Sequence, residues 1–345
     1  MAIPKDNIQR VLVYTMTAGL GDYLVMRDVM QKAETFISDT RCFMVHRANP
    51  FPGLGDTNWD NDRFFNFYHP EDMLRLISRL RALRRKGVEV FGLQMAPGSW
   101  QGYLLHSVLR KLGALDYIVD FNLINADIVT PPSGGYILEQ HLEQLSLLFG
   151  KTIPQEAHRL RLPFEQPQPS CSEHNRIGIH PWSRRSRYDC FVWPWANWKA
   201  VVHSLLELPD TDVVIIGKDK ELNAFFSYLQ NDLPLECQKR LSTRPAVNIP
   251  EFALSIGELD ILLSVNTGAI HIGYACGIKM VVLSGPSLNL WTPQGPGITV
   301  IQDPEAVWPG SDRKIKDSRA PTVQRILPDR VIEAVKNLLS SRNSK

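Results

Sequence analysis

Asn266-Thr267-Gly268 stands between the apolar run 261–265 and a helix-forming stretch that begins near Ala269, a short polar turn of the kind that caps a helix. At the carboxyl edge of a parallel sheet, such a turn points the helix's free N–H groups and about half a positive charge outward, a natural seat for an anion. Gly268 lets a phosphate approach the backbone. His271 is placed either to face the same spot or to fill the core of an ordinary strand-helix-strand crossover. A second glycine-rich turn, Thr17-Ala18-Gly19-Leu20-Gly21-Asp22, follows the apolar run 8–14. Leu24 occupies the third glycine position of a dinucleotide-binding GxGxxG, so the match to that loop is incomplete. Asp22 falls in the first turn of the following helix, where a carboxylate complements the dipole.

The elements that must hold these turns are short apolar runs alternating with helical patterns. Strands are expected at 8–14, 41–46, 88–94, 176–180, 212–217, 261–265 and 279–283, and helices at 23–36, 71–86, 100–112, 138–149, 195–206, 269–276 and 329–339. Gly277 is the expected helix stop of the 269–276 segment. The helix at 71–86 carries Leu74, Ile77, Leu80 and Leu83 at helical spacing, with Arg75, Arg79, Arg81, Arg84, Arg85 and Lys86 on its other side. That basic side is by default a solvated face; attraction to an anionic lipid surface or a phosphorylated glycan is the sharper reading. The long Gly/Pro/Asn/Asp-rich stretch 48–61 reads as a loop, and the loop 95–100, ending in Trp100, lies where an acceptor would sit. Pro154, Pro163, Pro167 and Pro169 break the pattern between the two halves, so domains are expected at 1–160 and 176–327, a linker at 161–175, and a closing segment, 328–345, whose helix packs back. Alternating strands and helices on both sides of the linker argue for an α/β chain of two doubly wound, Rossmann-like domains, with ligands at the carboxyl edges of their strands and a cleft between them.

With 345 residues, 44% hydrophobic and 21% charged, the chain is ordinary globular protein. A net charge of +2 gives no case for nucleic-acid binding. Cys42, Cys171, Cys190, Cys237 and Cys276 are odd in number, scattered and without a CxxC pair, which suggests reduced thiols rather than disulfides or a metal centre. The polar first ten residues lack the apolar core of a signal peptide, and no run approaches a spanning helix. A cytoplasmic protein is expected, with peripheral contact at the inner membrane face left open.

Val265-Asn266-Thr267-Gly268-Ala269-Ile270-His271, followed by Ala275-Cys276-Gly277, Gly285-Pro286-Ser287 and Trp291-Thr292-Pro293, resembles the carboxyl-terminal signature of the ADP-heptose:lipopolysaccharide heptosyltransferase family, glycosyltransferase family 9. Gly19-Leu20-Gly21-Asp22 is similar to that family's amino-terminal Gly-x-x-Gly-Asp, and Gly217-Lys218-Asp219-Lys220-Glu221 to its Gly-x-x-x-Glu. The stretch from Arg176 to Pro194 resembles its strand, His-Pro-Gly-x-Ser and Lys-x-Trp-Pro. Three residues depart: Asn266 stands where the family has Asp, Trp182 where Gly is common, and Phe191 where a phosphate-facing Lys is found. The resemblance covers roughly 8–36 and 176–293.

The resemblance implies a GT-B fold and an inverting transfer of a heptose or related sugar from a nucleotide diphosphate-sugar, ADP-linked in the family, to a hydroxyl on a glycan, lipid-linked or protein acceptor. Asp22 would be the catalytic base; Glu221 would hold the ribose; Ser183, Asn266, Thr267, Gly268 and His271 would line the donor, with Gly21 and Trp100 on the acceptor side. With Phe191 in the lysine's place, Arg184, Arg185 and Arg187 are the expected counter-charges of the diphosphate. No cofactor and no metal are expected: the DxD sequences Asp60-Asn61-Asp62 and Asp210-Thr211-Asp212 lie in a loop and in a turn before a strand. A binding protein of this fold that has lost transfer is the alternative that Asn266 and Phe191 permit. A methyltransferase, from the incomplete glycine loop, is a third option.

Overall fold

The computed structural model describes residues 8–15, 19–46, 63–95, 100–121, 126–131, 134–165, 174–183, 191–217, 219–285, 289–305 and 323–340. The chain divides into two compact units, Met1–Pro163 and Phe164–Lys345.

In the first unit, β1 (Arg10–Thr15), β2 (Thr40–His46), β3 (Phe64–Asn66), β4 (Glu89–Gln94), β5 (Tyr117–Asp120) and β6 (Ile128–Val129) form a sheet in the order β3-β2-β1-β4-β5-β6. All these pairings are parallel, with Thr15 opposite Val45 on one side and Gln94 on the other. The connections are α1 (Leu20–Phe36), α2 (Pro70–Arg84), α3 (Trp100–Lys111) and α4 (Ile137–Phe149). A parallel sheet covered on both faces needs continuous apolar strands, and Val11, Leu12, Val13 and Tyr14 are all fully buried.

One expectation is modified here. Leu74 of α2 is 67% exposed, and the residues driven into the core are Leu76 and Leu80, one turn apart. Arg79 and Arg75 lie over the rings of Phe43 and Phe65, and Arg84 ion-pairs with Asp116, so part of the basic side packs on the sheet. The proline-marked stretch after α4 is anchored at its start: Ile153, Ala157, Leu160 and Leu162 are buried, and the backbone N–H of Arg161 donates to Asp28 at 3.2 Å. Apolar residues two to four apart give this segment a face that the first unit covers.

The second unit repeats the plan. Its strands are β7 (Asn175–His180), β8 (Thr211–Gly217), β9 (Leu241–Pro245), β10 (Ile261–Val265), β11 (Lys279–Ser284) and β12 (Ile298–Gln302), ordered β12-β11-β10-β7-β8-β9, all parallel. Its helices are α5 (Trp195–Leu206), α6 (Asp219–Gln230), α7 (Leu235–Gln238), α8 (Ile249–Gly257), α9 (Gly268–Cys276) and α10 (Pro328–Ser340). Gly277, at φ +73°, ends α9 in the left-handed conformation that favours glycine. Trp193 and Trp198 meet edge to face at 4.8 Å in the core, and the Trp193 indole donates to the Ile326 carbonyl at 3.0 Å, fastening the approach to α10. That helix packs on α5 and β11, with Lys279 Nζ donating to the Leu338 carbonyl at 2.7 Å.

Counted within its own unit, each sheet has the order 3-2-1-4-5-6. The first and fourth strands are neighbours, and their outgoing chains diverge to opposite sides. The crevice at that reversal is where open α/β sheets bind ligands. It lies between β1 and β4 in the first unit and between β7 and β10 in the second.

Candidate functional site

At the first switch point, four residues separate the end of β1 from the start of α1. Gly19 is its N-cap residue in an extended conformation, and Asp22, three residues on, folds back so that Oδ2 accepts the Gly19 N–H at 3.2 Å. A β-carbon on residue 19 would lie 2.7 Å from that oxygen, so glycine is what lets the carboxylate reach the helix end. The bond and the dipole both hold the carboxylate at the carboxyl edge of the central strand. Asp22 is half-buried, and Gly21 is buried inside the first turn.

The same edge gathers groups that sequence reading missed. A β-carbon on Gly102 would lie 2.8 Å from Thr15 Oγ1 and 3.2 Å from Gln94 Oε1, so the first turn of α3 rests directly on the ends of β1 and β4. Trp100 opens that helix; the loop before it lies outside the described residues. Gln94 is fully buried, and neither amide atom has a hydrogen-bond partner among the described residues. The Tyr14 hydroxyl is likewise buried and unpartnered, and its ring meets His141 at 6.1 Å, edge on. His141 Nε2 donates to the Met95 carbonyl at 3.0 Å, and burial lowers its pKa to about 4, so it is neutral at physiological pH. A polar residue closing an otherwise apolar strand, as in VLVYT and EVFGLQ, is the signal that would have found Tyr14 and Gln94.

At the second switch point, Thr267 is the N-cap of α9, with φ −153° and ψ 178°, and its side chain makes no capping bond. The Thr267 side chain thus takes up none of the first-turn N–H groups, although its carbonyl accepts that of Ile270 at 3.1 Å. Asn266 is fixed on both sides: its N–H donates to the Leu283 carbonyl at 3.0 Å, and its side-chain Nδ2 donates to Thr292 Oγ1 at 2.8 Å. The Trp-x-Pro segment therefore supports the turn directly. Gly268 begins the helix; His271 is 5% exposed, and burial lowers its pKa to about 4. It brings a neutral imidazole and no charge.

Ser264, one strand residue before the turn, donates to the carbonyl of His180, the last residue of β7, at 3.1 Å. This ties the two strand ends of the switch point together. His180 Nδ1 donates to the Ile216 carbonyl at 2.9 Å. Ser183 follows three residues later and is half-buried. Trp182 lies against Gly217, where a β-carbon would come within 2.3 Å of its ring, and meets Phe225 edge to face at 5.6 Å. Where the family commonly has glycine, this chain caps β8 with an indole that only Gly217 can accommodate. Phe191 is 4% exposed, so its departure from lysine places a ring in the core. Arg184, Arg185 and Arg187 lie outside the described residues. Glu221 is exposed in the first turn of α6, one strand further along the same edge.

Asp212, from the second DxD, lies at the amino end of β8, 3.4 Å from His174 Nδ1, on the edge away from these turns. Asp60 and Asp62 lie outside the described residues. Among the described residues, no helix is long and apolar enough to cross a membrane, and no group of three His, Cys, Asp or Glu could hold a metal ion.

The fold and both switch points now define the class: two Rossmann-like α/β units of the GT-B type. The chain is similar over 99% of its length to all of a glycosyl transferase family 9 structure from Veillonella parvula DSM 2008, with a TM-score of 0.66 and 16% identity. It is similar over 97% of its length to all of E. coli ADP-heptose LPS heptosyltransferase II, with a TM-score of 0.60 and 17% identity. Over 96% it matches 99% of E. coli heptosyltransferase WaaC with ADP-2-deoxy-2-fluoro heptose, with a TM-score of 0.60 and 14% identity. No protein-family model and no curated protein sequence matches the chain.

Proposed function

We propose that this protein is an inverting glycosyltransferase of the heptosyltransferase type. It moves a sugar from a nucleotide diphosphate-sugar to an acceptor hydroxyl. The observation that carries this reading is the placement of Gly19-Leu20-Gly21-Asp22 and Asn266-Thr267-Gly268 at the switch points of their own sheets, one with a carboxylate and the other with an uncapped helix end.

In this reading Asp22 accepts the proton of the acceptor hydroxyl as its oxygen forms a bond to the anomeric carbon. The bond from that carbon to the diphosphate breaks, and the diphosphate leaves with the electron pair. Proton transfer to a positioned base supports a rate gain of about 10²–10⁴-fold. The end of α9 meets the charge that develops on the leaving group. Asn266 is neutral and so adds no negative charge beside that group, which suits a chain whose usual lysine is replaced by Phe191. Arg184, Arg185 and Arg187 supply the cation, and Ser183, His271 and Glu221 bind the rest of the donor. The first unit holds the acceptor, with Gly21 and Trp100 near it. The acceptor is a glycan, lipid-linked or protein hydroxyl; exposed Arg81 of α2 and exposed Arg85 and Lys86 just after it suit one carried on an anionic membrane surface.

A panel of nucleotide diphosphate-sugars and free nucleoside diphosphates, screened by thermal shift and then by transfer to acceptors, tests this reading. Binding of an ADP-linked heptose or a relative, with turnover that survives EDTA, is expected. Turnover abolished by EDTA and restored by magnesium would return attention to Asp60-Asn61-Asp62. The second reading, a nucleotide-sugar-binding protein without transfer, is favoured by the locked Asn266 and the buried Phe191. Donor binding without turnover against every acceptor class would select it.

A further inference from the structure

α2 and α3 cover the same face of the first sheet: Leu76 and Leu80 of one and Leu105 and Leu109 of the other share a core with Val11, Val13 and Val90. With those positions turned inward, the other sides of both helices are left outside the core. On α3 the residues left out are apolar. Leu104, Val108 and Leu112 are 54%, 44% and 44% exposed and recur at every fourth position, so they form one stripe along the helix. Leu112 follows the last residue of α3 and continues its turn, its N–H donating to the Val108 carbonyl at 3.0 Å. Apolar residues exposed singly need no explanation, but a continuous stripe marks a surface that something covers.

The neighbouring helix end is basic. Arg84 Nη1 donates to the Gly113 carbonyl at 2.6 Å and Nε to Asp116 at 2.8 Å, which joins the end of α2 to the turn that closes the stripe. Arg81, Arg85 and Lys86 at the end of α2 and Lys111 at the end of α3 flank that joint, and all four are exposed. The described carboxylates near them are engaged elsewhere: Asp116 with Arg84, Asp72 with Arg75, Asp127 with Arg110, and Glu89 with Arg10 at 4.0 Å. Glu71 stands at the far end of α2, and α3 contains no acid.

We propose that this face docks the protein on an anionic lipid surface, with the α3 stripe entering the headgroup boundary and the basic end of α2 meeting the lipid phosphates. Such a surface answers both features at once: apolar side chains gain by burial at the boundary of headgroups and acyl chains, and nearby Lys and Arg gain from the negative surface potential. A purely acidic partner would meet the cations and leave the stripe wet. A purely apolar one would cover the stripe and take the cations out of water unpaired. Among the described residues no helix is long and apolar enough to cross a membrane, so the contact is one that lies on the surface. The docking does not rest on the glycosyltransferase reading, since it uses none of the switch-point residues.

Co-sedimentation of the full chain with phosphatidylcholine vesicles, made with and without phosphatidylglycerol, tests the proposal. Binding to the phosphatidylglycerol vesicles, weakened by added salt, is expected, with little to phosphatidylcholine alone. Arg81→Glu combined with Arg85→Glu should weaken it roughly tenfold or more. Leu104→Ser combined with Val108→Ser, which leaves every charge in place, should do the same. All four positions are exposed, so both double variants should keep the parent's circular dichroism and melting point. Arg330→Glu, a charge reversal at an exposed position of α10 in the second unit, should leave vesicle binding unchanged. Absence of binding, equal binding to neutral vesicles, or parent-like binding by either double variant overturns the proposal. So does self-association that the serine pair removes while vesicles stay unbound, which makes the stripe a contact between copies. None of these outcomes touches the transfer chemistry, which is read from turnover.

Discussion

The two units share one strand order and differ in what they place at its reversal. In the first, a carboxylate folds onto its own helix end, and the surroundings are uncharged buried groups, Tyr14, Gln94 and a neutral His141. In the second, the N-cap Thr267 makes no side-chain capping bond, and its neighbour Asn266 is bonded through Nδ2 to Thr292. In the proposed reading, one crevice holds a negative charge and the other receives one. On that proposal, the same backbone plan separates a proton acceptor from an anion seat by which side chain follows the central strand.

The largest test of that contrast is Asp22→Asn. Fold and donor affinity should be kept while turnover falls by about 10²–10⁴-fold, as for the loss of a positioned base. Unchanged turnover removes the first crevice from the chemistry.

Trp198→Ala tests whether the units have separate cores. Removing a fully buried indole that meets Trp193 should cost ~3–5 kcal/mol, and only the second unit should melt earlier. A single transition that shifts as a whole, in calorimetry, would show that the units unfold together.

Acid should act on both units alike. His106 and His141 in the first unit, and His271 in the second, are buried neutral, with pKa lowered to about 3, about 4 and about 4 respectively. Because the unfolded chain binds these protons at its ordinary value near 6.5 and the folded chain does not, their contribution is intact above about pH 6.5 and declines as pH falls toward about 4. Urea unfolding at pH 7 and pH 5 should show lower stability at pH 5; equal midpoints contradict the burial of these rings.

The smallest change is expected in the second crevice. Alanine at Arg184, Arg185 or Arg187 should weaken nucleoside diphosphate binding roughly tenfold in at least one variant. Parent-like affinity in all three means that the diphosphate is neutralised elsewhere or is not the ligand.

Much of the plan was legible in the chain because parallel strands buried on both faces must be apolar throughout. VLVY, CFMV, VVII and ILLSV announce themselves, and polar or glycine turns must follow them. The α9 turn and its Gly277 stop were legible for the same local reason. The outward turn of Leu74 and the anchoring of the stretch after α4 were not, since helical spacing alone does not say which of two overlapping faces meets a neighbour. Tyr14, Gln94 and His141 come from β1, β4 and α4, and only the sheet order makes them neighbours.

By itself the sequence determined the alternation of strands and helices, the two glycine turns and the carboxylate at Asp22, because these follow from local propensity and hydrophobic period. Only the tertiary structure decided that both turns stand at chain reversals, that Phe191 and His271 are withdrawn from solvent, and that Leu104, Val108 and Leu112 stay exposed on the helix joined to the basic end of α2. Those outcomes depend on which strands pair across long stretches of chain, and pairing is settled by the packing of whole layers rather than by any residue's neighbours in sequence.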